Sequence, residues 1–257
     1  MAEDSSVSVQ PFVWPEGKRA ALSLTFDDAR TSQVDVGLPI LEEHGTRATF
    51  YVTPANVEQR LDGWRRAALN GHEIGNHTFS HPCSGNFPWS RQNALEDYSL
   101  TRMEEDIVRA SRALQELLDV TPATFAYPCG ATFVGRGEEV VSYVPLVARL
   151  FLVGRGGFDA RWNDPVFCDL TQVGSCGADG VDFTHLRNLL DSATREGGWL
   201  LLFSHEVGRE GRQTTRSDVL DAVCRHAKDP VSGLWVDTVA AVGRYIDEAR
   251  KGSTGRK

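Results

Sequence analysis

The chain has 257 residues, 41% of them hydrophobic and 24% charged, and it carries a formal net charge of -8 at pH 7. This length can bury a large core, and the composition is that of a globular protein. Lysine and arginine are not clustered densely enough to follow a phosphate backbone, so nucleic acid is excluded as an expected partner.

The N-terminus and the cysteines bear on the cellular compartment. No apolar run approaches the roughly 20 residues that a membrane span needs, and the polar, acidic segment 1–10 lacks the pattern of a secretory signal. The expectation is a cytoplasmic protein, or a secreted one if a signal peptide precedes this sequence. The five cysteines include no C-x-x-C pair, and separate reduced thiols are favoured over a bridge between Cys168 and Cys176.

Short apolar runs alternate with stretches of helical period. Runs that predict strands lie, in chain order, at 20–26, 48–52, 124–127, 150–153, 199–203 and 233–236. Stretches that predict helices lie at about 36–44, 57–70, 137–149, 183–196, 216–228 and 237–250, with a further helix after Thr101. At the start of that helix, Thr101 and Glu104 have the spacing of a capping box.

Strands followed by helices predict a parallel α/β sheet, either doubly wound or closed into a barrel. No repeat, low-complexity tract or linker divides the chain, so a single domain is expected over 20–250. Residues 1–19 are predicted to form an N-terminal arm and residues 251–257 a frayed tail.

Polar side chains lie at the ends of four short runs, namely the predicted strands at 20–26, 124–127 and 199–203 and the run His72–Gly75. In parallel α/β proteins, functional side chains come from the carboxyl ends of the strands, which share one rim. Scattered core or surface residues would rarely be arranged in this way. The residues concerned are Asp27, Asp28, His77, His81, Tyr127 and His205.

His77 and His81 are four residues apart, and on a helical turn their Cβ atoms would lie about 5–6 Å apart. With Asp28 they complete a set of two histidines and one carboxylate, a zinc arrangement that leaves a position open for water. Zinc would lower the pKa of that water to about 7. The histidine spacing taken alone is equally compatible with a surface pair that binds no ion.

Asp27 and His205 are the candidate acid–base residues. Acidic pairs after a strand are usually turn formers or helix caps, but beside a metal site Asp27 is free to act as general base while Asp28 binds the ion. His205 follows a continuous apolar run, where a histidine is more often a hydrogen-bonded core residue. Opposite a metal it would instead serve as the general acid.

Four segments resemble the motifs of the NodB-type polysaccharide deacetylases, which form carbohydrate esterase family 4. These segments are Thr25–Asp28, Asn76–Pro82, Phe125–Gly130 and Leu202–His205. The resemblance runs from about Ala20 to Ile246. The two-aspartate and two-histidine motifs, about 50 residues apart, are its most specific part.

The resemblance implies a distorted, incomplete (β/α) barrel with a groove across its top. It implies Asp27 as catalytic base and His205 as catalytic acid. The implied ligands of one divalent ion are Asp28, His77 and His81. Zinc is the expected ion, with cobalt and nickel as alternatives. The backbone N–H of Tyr127 is expected to stabilise the tetrahedral oxyanion.

The chain departs from the family pattern at two positions. Many members have glycine where this chain has Ala29, and arginine where it has Ala126. Because that arginine orients the base, another guanidinium must hold Asp27, with Arg155 the first candidate and Arg161 the second. In a competing interpretation, Arg155 is a solvated loop residue. The stretch expected to carry the family's substrate-shaping tryptophan and aspartate contains Asp159, Trp162 and Asp164.

The sequence therefore predicts a metal-dependent hydrolase that removes N-acetyl groups from a glycan containing N-acetylglucosamine. An O-acetyl esterase acting on acetylated xylan is the alternative, because both reactions pass through the same tetrahedral intermediate. Two further hypotheses are a hydrolase of small amides and a barrel that binds carbohydrate without catalysis. The complete set of candidate residues disfavours the last of these.

Overall fold

The computed structural model describes residues 12–157 and 161–254. Its strands are β1 (Ala20–Asp27), β2 (Thr49–Val52), β3 (Glu73–Asn76), β4 (Thr124–Ala126), β5 (Phe133–Val134), β6 (Val141–Ser142), β7 (Val153–Arg155), β8 (Cys176–Gly177), β9 (Trp199–Ser204), β10 (Glu206–Gly208), β11 (Thr214–Arg216) and β12 (Leu234–Val236). Its α-helices are α1 (Leu38–Glu43), α2 (Pro54–Val57), α3 (Leu61–Leu69), α4 (Leu100–Leu118), α5 (Val144–Leu150), α6 (Phe183–Glu196), α7 (Ser217–Lys228) and α8 (Val239–Thr254).

Eight strands form one sheet in the order β7-β4-β3-β2-β1-β9-β8, with β12 paired to the first half of β1. All of these pairings are parallel, so the carboxyl ends of the strands share one rim. Arg155 of β7 also bridges Val173, which lies just before β8. The two edges of the sheet therefore approach each other, and the sheet curls into an incomplete (β/α) barrel. The predicted fold class is confirmed.

β1 lies at the centre of the sheet and is buried along its whole length. Successive side chains of a strand point to opposite faces. Leu24 and Phe26 belong to the large apolar cluster that packs under the helices. Ser23 and Asp27 have the opposite parity and face the barrel interior, where the indole N–H of Trp199 donates to Ser23 Oγ at 3.0 Å. This alternation places the carboxylate of Asp27 inside the barrel.

Most of the predicted strands are present. Those predicted at 20–26, 48–52, 124–127, 199–203 and 233–236 correspond to β1, β2, β4, β9 and β12. The strand predicted at 150–153 is wrong, because Leu150 ends α5 and β7 begins only at Val153. A short apolar run does not by itself separate the end of a buried helix from a strand. The helix predicted at 137–149 is confirmed only from Val144 onwards, since β6 precedes it.

The start of α4 also differs from the prediction. Ser99, not Thr101, is the N-cap, and its Oγ accepts a hydrogen bond from the backbone N–H of Arg102 at 3.2 Å. Ser99 has extended backbone angles, as N-caps require, whereas Thr101 lies inside the helix. The buried face of this helix is formed by Met103, Ile107, Ala110, Leu114 and Leu118.

The two ends of the chain are packed more extensively than predicted. Residues 1–11 of the predicted arm lie outside the described residues, but Trp14 is only 2% exposed and its indole N–H donates to the carbonyl of Gly197. The predicted tail begins at residue 251, and α8 continues past that position to Thr254. An ion pair between Lys251 and Asp247, one helical turn apart, supports this extension. Within the described ranges, no helix combines the length and apolar character needed to cross a bilayer.

Candidate active site

The candidate residues meet at the carboxyl rim of the sheet. β1 ends at Asp27, β3 is followed by His77, and β9 is followed by His205. Asp28, His77 and His81 each offer a ligand atom, and these atoms lie within 4.8 Å of one another. The topology thus brings together the three ligands that the sequence predicts.

The donor atoms are spaced as one metal ion requires. Asp28 Oδ1 lies 3.6 Å from His77 Nε2 and 3.3 Å from His81 Nε2. Tetrahedral zinc with bonds of about 2.0–2.2 Å has ligand atoms about 3.3–3.6 Å apart. The other oxygen, Asp28 Oδ2, accepts a hydrogen bond from Arg30 at 2.9 Å. One oxygen of Asp28 is therefore held by the protein, and the other faces the two imidazoles.

His77 is oriented for metal binding by the backbone of β4. Its Nδ1 lies 2.9 Å from the carbonyl oxygen of Ala126, and its side chain is buried. Because a carbonyl oxygen can only accept, this contact assigns the ring proton to Nδ1 and leaves the lone pair of Nε2 directed towards Asp28.

The two histidines do not lie on a helix, so the helical turn expected for them is wrong. The rings still approach each other, with centroids 4.8 Å apart. A tight turn held by side chains replaces the helix: Asn76 Oδ1 accepts from the N–H of Thr78, and Thr78 Oγ1 accepts from the N–H of His81. Asp106 of α4 accepts two further backbone N–H groups of the turn. These local bonds compete with helix formation.

Backbone strain is concentrated at this rim. Of the seven non-glycine residues with positive φ in the described part of the chain, five lie in the site loops. They are Asp28 (74°), Ala29 (53°), Thr78 (65°), His81 (48°) and Cys129 (54°). Such conformations cost about 1–3 kcal/mol each and persist only where surrounding contacts enforce them. Ala29 therefore adopts a left-handed backbone conformation, which glycine, the residue of many family members at this position, adopts without strain.

Asp27 is paired with Arg155, as predicted. A guanidinium nitrogen of Arg155 donates to both carboxylate oxygens, at 2.6 and 2.5 Å, and both side chains are buried. The guanidinium also lies over the rings of Tyr51 and Phe203, with centroid distances of 5.1 and 5.4 Å. Arg161, the second candidate, is exposed. The competing interpretation of Arg155 as a solvated loop residue is wrong.

The electrostatics of the donor set favour ligand-ready protonation states. Burial would raise the pKa of Asp28, but the neighbouring His77, His81 and Arg30 outweigh it and hold that pKa below its usual value. Burial, reinforced by His77, lowers the pKa of His81 to about 4. Asp28 is therefore ionised and His81 neutral near neutral pH, which are the forms that bind metals.

His205 is held by Asp179, a residue that the sequence analysis missed. Nδ1 of His205 lies 2.6 Å from Asp179 Oδ2, and the backbone N–H of His205 donates to Asp179 Oδ1. Burial would lower the pKa of His205, but the hydrogen bond that Asp179 accepts from its ring and the charge of Asp27 raise that pKa above its usual value. No motif marks Asp179, because it lies in the loop after β8, 26 residues before its partner.

Gln33 is a second residue without a sequence signal. Its amide nitrogen donates to the backbone carbonyls of Asp27, at 2.5 Å, and His205, at 2.7 Å. It lies in a π-helix over Gln33–Gly37, a form often found at functional sites. Gln33 thus ties together the ends of β1 and β9.

The expected role of the Tyr127 N–H is wrong. That N–H donates to the carbonyl of Arg155 at 3.0 Å, in continuation of the pairing between β4 and β7, so it cannot also bind an oxyanion. Pro128 has no N–H to offer. The next N–H along the chain, that of Cys129, donates no hydrogen bond to any residue in the described ranges. Cys129, rather than Tyr127, therefore presents an available backbone donor.

A disulfide joins Cys83 to Cys129, with their Cα atoms 6.0 Å apart. The prediction of separate reduced thiols is wrong for this pair. The residues are 46 positions apart, but they follow the neighbouring strands β3 and β4, and only this pairing brings them together. Cys168 and Cys176 are not joined to each other.

The residues considered for the substrate-shaping motif do not reach the site. Trp162 packs against Gly198, just before β9, and is therefore at the amino end of the sheet. Asp164 accepts the backbone N–H of Val166 in the same region. That expectation is wrong for these two residues, and Asp159 lies outside the described residues.

Solved structures share this architecture. A Mycobacterium smegmatis protein assigned to the polysaccharide deacetylases matches with a TM-score of 0.66 and 18% identity, over 93% of this chain and 94% of that chain. A family 4 acetyl xylan esterase from Clostridium thermocellum, solved with a cobalt ion, matches with a TM-score of 0.58 and 20% identity, over 88% and 91% of the two chains. These likenesses define the class of fold.

The sequence comparisons identify the family. Residues 15–140 match the profile of the family described as polysaccharide deacetylase. A peptidoglycan-N-acetylglucosamine deacetylase of Listeria monocytogenes is 31% identical over 137 residues, which are 53% of this chain and 27% of that protein. The match thus spans about a quarter of that relative's length. The part of this chain at residues 15–140 thus belongs to the polysaccharide deacetylase family.

Proposed function

We propose that this chain is a metal-dependent hydrolase that removes N-acetyl groups from N-acetylglucosamine units of a poly- or oligosaccharide. The proposal rests on one rim that carries a three-ligand donor set, the ion-paired carboxylate of Asp27 and the carboxylate-bound imidazole of His205. The name of the Listeria relative supports this substrate class, because it specifies N-acetylglucosamine in peptidoglycan.

Asp28, His77 and His81 would hold one divalent ion, with zinc preferred and cobalt and nickel as alternatives. When bound, such an ion polarises a carbonyl group and lowers the pKa of water. The protein prepares the ligands in advance, since Arg30 holds one oxygen of Asp28 and the carbonyl of Ala126 holds the ring of His77.

Asp27 is assigned the role of general base, which takes a proton from the attacking water. Arg155 donates hydrogen bonds to both oxygens of this carboxylate and so fixes the direction of its lone pairs. The position matters because misplacing a catalytic group by about 1 Å can cost about 10²-fold in rate.

The backbone N–H of Cys129 is assigned to the oxyanion that forms when water adds to the acetyl carbonyl. A fixed N–H at this position would stabilise the developing negative charge. His205 then donates its proton to the leaving nitrogen. Asp179 keeps the ring oriented and favours its protonated form.

O-deacetylation is the second candidate. The observation that favours it is the likeness to a family 4 acetyl xylan esterase. The same base, acid and N–H donor would serve an ester, whose leaving group is an alkoxide in place of an amine.

Acetate release by the zinc-loaded protein tests the proposal on tetra-N-acetylchitotetraose, peptidoglycan and acetylated xylan. We expect release from the N-acetylated substrates, and an Asp27→Asn variant should retain the ion but lose about 10²-fold or more in rate. Release from xylan alone would replace the proposal with the esterase. Absence of release from all three substrates would overturn the assignment as a glycan deacetylase.

A further inference from the structure

The segment between His81 and α4 forms a firmly anchored loop beside the metal ligands. We call residues 83–97 the aromatic loop. Its first residue is joined to Cys129 by the disulfide. Its remaining anchors are hydrogen bonds from Ser90 to Cys83, from Ser84 and Gly85 to Glu96, and from Asn93 to the carbonyl of Ser80. The loop is therefore fixed by contacts along much of its length.

Two aromatic side chains of the aromatic loop remain in solvent. Trp89 is 64% exposed and Phe87 is 46% exposed. Their rings are stacked, with centroids 5.5 Å apart and planes 19° apart. The ring of Trp89 also lies 6.3 Å from the ring of the ligand His81. The exposed aromatic surface is thus continuous with the proposed metal site.

Such a surface indicates a ligand. Exposed aromatic patches in a fixed position next to a polar site usually mark a binding surface, because leaving them in water forgoes the free energy of burial. The face of an aromatic ring is electron-rich and attracts polarised C–H groups. A pyranose ring presents an apolar face of C–H groups, whereas its hydroxyls point outwards around the edge. The two surfaces are complementary in shape and polarity.

We propose that Trp89, supported by Phe87, is a stacking platform for a sugar ring of the glycan. The ring it receives adjoins the sugar whose acetyl group reaches Asp28, His77 and His81. This inference rests on the proposed function and deepens it, because it makes the substrate an oligomer or polymer that occupies more than one sugar position. A free monosaccharide would not reach both the platform and the metal ligands.

The experiment compares a long substrate with a short one. kcat/KM is measured with the zinc-loaded protein for acetate release from tetra-N-acetylchitotetraose and for hydrolysis of 4-nitrophenyl acetate. Trp89→Ala should lower the ratio of kcat/KM for the tetrasaccharide to kcat/KM for 4-nitrophenyl acetate at least about tenfold. Most of this change should come from a higher KM for the tetrasaccharide. Trp89→Phe should restore part of the ratio, and Phe87→Ala should lower it less than Trp89→Ala.

The matched control is Phe167→Ala. Phe167 is 74% exposed, but it lies near Trp162 and Asp164 at the amino end of the sheet, so this variant should keep the wild-type ratio. Thermal unfolding of each variant identifies any loss of fold.

The outcomes separate the platform from the proposed function. If the protein deacetylates the tetrasaccharide and Trp89→Ala keeps the wild-type ratio, the platform is refuted while the function stands. An equal loss on both substrates also refutes it, because Trp89 would then act on the metal site. If the protein releases no acetate but binds the tetrasaccharide, and Trp89→Ala abolishes binding in calorimetry, the platform stands and the hydrolase proposal fails.

Discussion

The two ends of the parallel sheet are built on opposite principles. At the carboxyl end, ionisable side chains are buried and satisfied by one another, as in the pairs Asp27–Arg155 and His205–Asp179. At the amino end, the ring of Trp14 packs against those of Trp235 and Tyr245, with centroids 6.1 and 6.2 Å apart. The carboxyl end thus carries a network of paired charges, and an aromatic cluster around Trp14 lies at the amino end.

The difference separates stability from function. Burying aromatic surface is favourable whatever the exact geometry, whereas burying charge is costly unless each group keeps its partner. The strained residues are also found at the carboxyl end, where positive φ angles recur in the site loops. Apolar packing elsewhere, as at the amino end, therefore offsets the unfavourable free energy of the strained and charged carboxyl rim.

The metal ligands should show the largest effect. His77→Ala and His81→Ala should each abolish stoichiometric metal binding and lower turnover by at least about 10³-fold, because an ion contributes several kcal/mol to transition-state stabilisation. Metal content by mass spectrometry and acetate release measure both. His185→Ala, at an exposed histidine on α6, is the control and should bind metal normally. Full metal occupancy in either ligand variant would contradict the assignment.

Arg155→Ala should damage both function and stability. It leaves the buried carboxylate of Asp27 without its partner, which costs about 3–5 kcal/mol in the free energy of unfolding. It also frees the proposed base to rotate, with an expected loss of about 10²-fold in kcat. Arg155→Lys keeps the charge but not the guanidinium geometry. It should therefore recover only part of the lost stability and part of the lost kcat. Unchanged kinetics in Arg155→Ala would show that Asp27 needs no fixed partner.

Trp14→Ala probes the opposite end of the sheet. It should reduce the free energy of unfolding by about 3–5 kcal/mol, because it removes a buried indole from the aromatic core. Urea denaturation measures this loss. The kcat of the folded fraction, measured at low temperature, should stay at the wild-type value. A loss of kcat as large as that of Arg155→Ala would mean that the two ends are coupled.

Asp179→Asn should move the pH profile without removing a catalytic group. A general acid must be protonated, so activity is lost as pH rises through the pKa of His205. That pKa is raised by the hydrogen bond and charge of Asp179 against the opposing effect of burial. Removing the charge lowers the pKa, and the alkaline limb of kcat should shift to lower pH. Asp164→Asn, at the amino end, is the control and should leave the alkaline limb at its wild-type pH. If Asp179→Asn also leaves the limb unchanged, the limb does not report the pKa of His205.

Ala29→Gly should show the smallest effect. Relief of the left-handed conformation gains about 1–2 kcal/mol, and loss of one buried methyl group costs about 0.8 kcal/mol, so we expect a near-neutral or slightly stabilising change. Ala110→Gly, at a buried position in the middle of α4, has no strain to relieve and should destabilise by about 1 kcal/mol or more. Equal losses in urea denaturation would show that the positive φ at residue 29 carries no strain.

Much of the site was predictable because its signals are local in the sequence. Asp27 and Asp28 directly follow a strand, and His77 and His81 follow another, so the rule that parallel strands share one rim brings them together. Arg155 was predictable for a different reason. Ala126 lacks the guanidinium that many relatives have, and Arg155 is the last residue of β7, directly beside Ala126 of β4.

Other features depend on contacts that no short pattern records. Asp179 reaches His205 from the loop after β8, and Gln33 reaches the carbonyls of Asp27 and His205 from a π-helix; packing sets the position of both. The disulfide between Cys83 and Cys129 forms because β3 and β4 are neighbours. The pairing of β4 with β7 engages the N–H of Tyr127 in a hydrogen bond to the carbonyl of Arg155.

The sequence by itself determined the parallel α/β class and predicted the candidate metal ligands and the candidate acid–base pair, since strand periodicity and residue chemistry are local properties. The tertiary structure alone decided which groups orient them, which N–H remains available at Cys129, and which aromatic surface at Trp89 faces solvent beside His81. Those outcomes depend on distances between segments far apart along the chain. Only the closure of the barrel sets such distances, because backbone hydrogen bonding and side-chain packing must be satisfied everywhere at once.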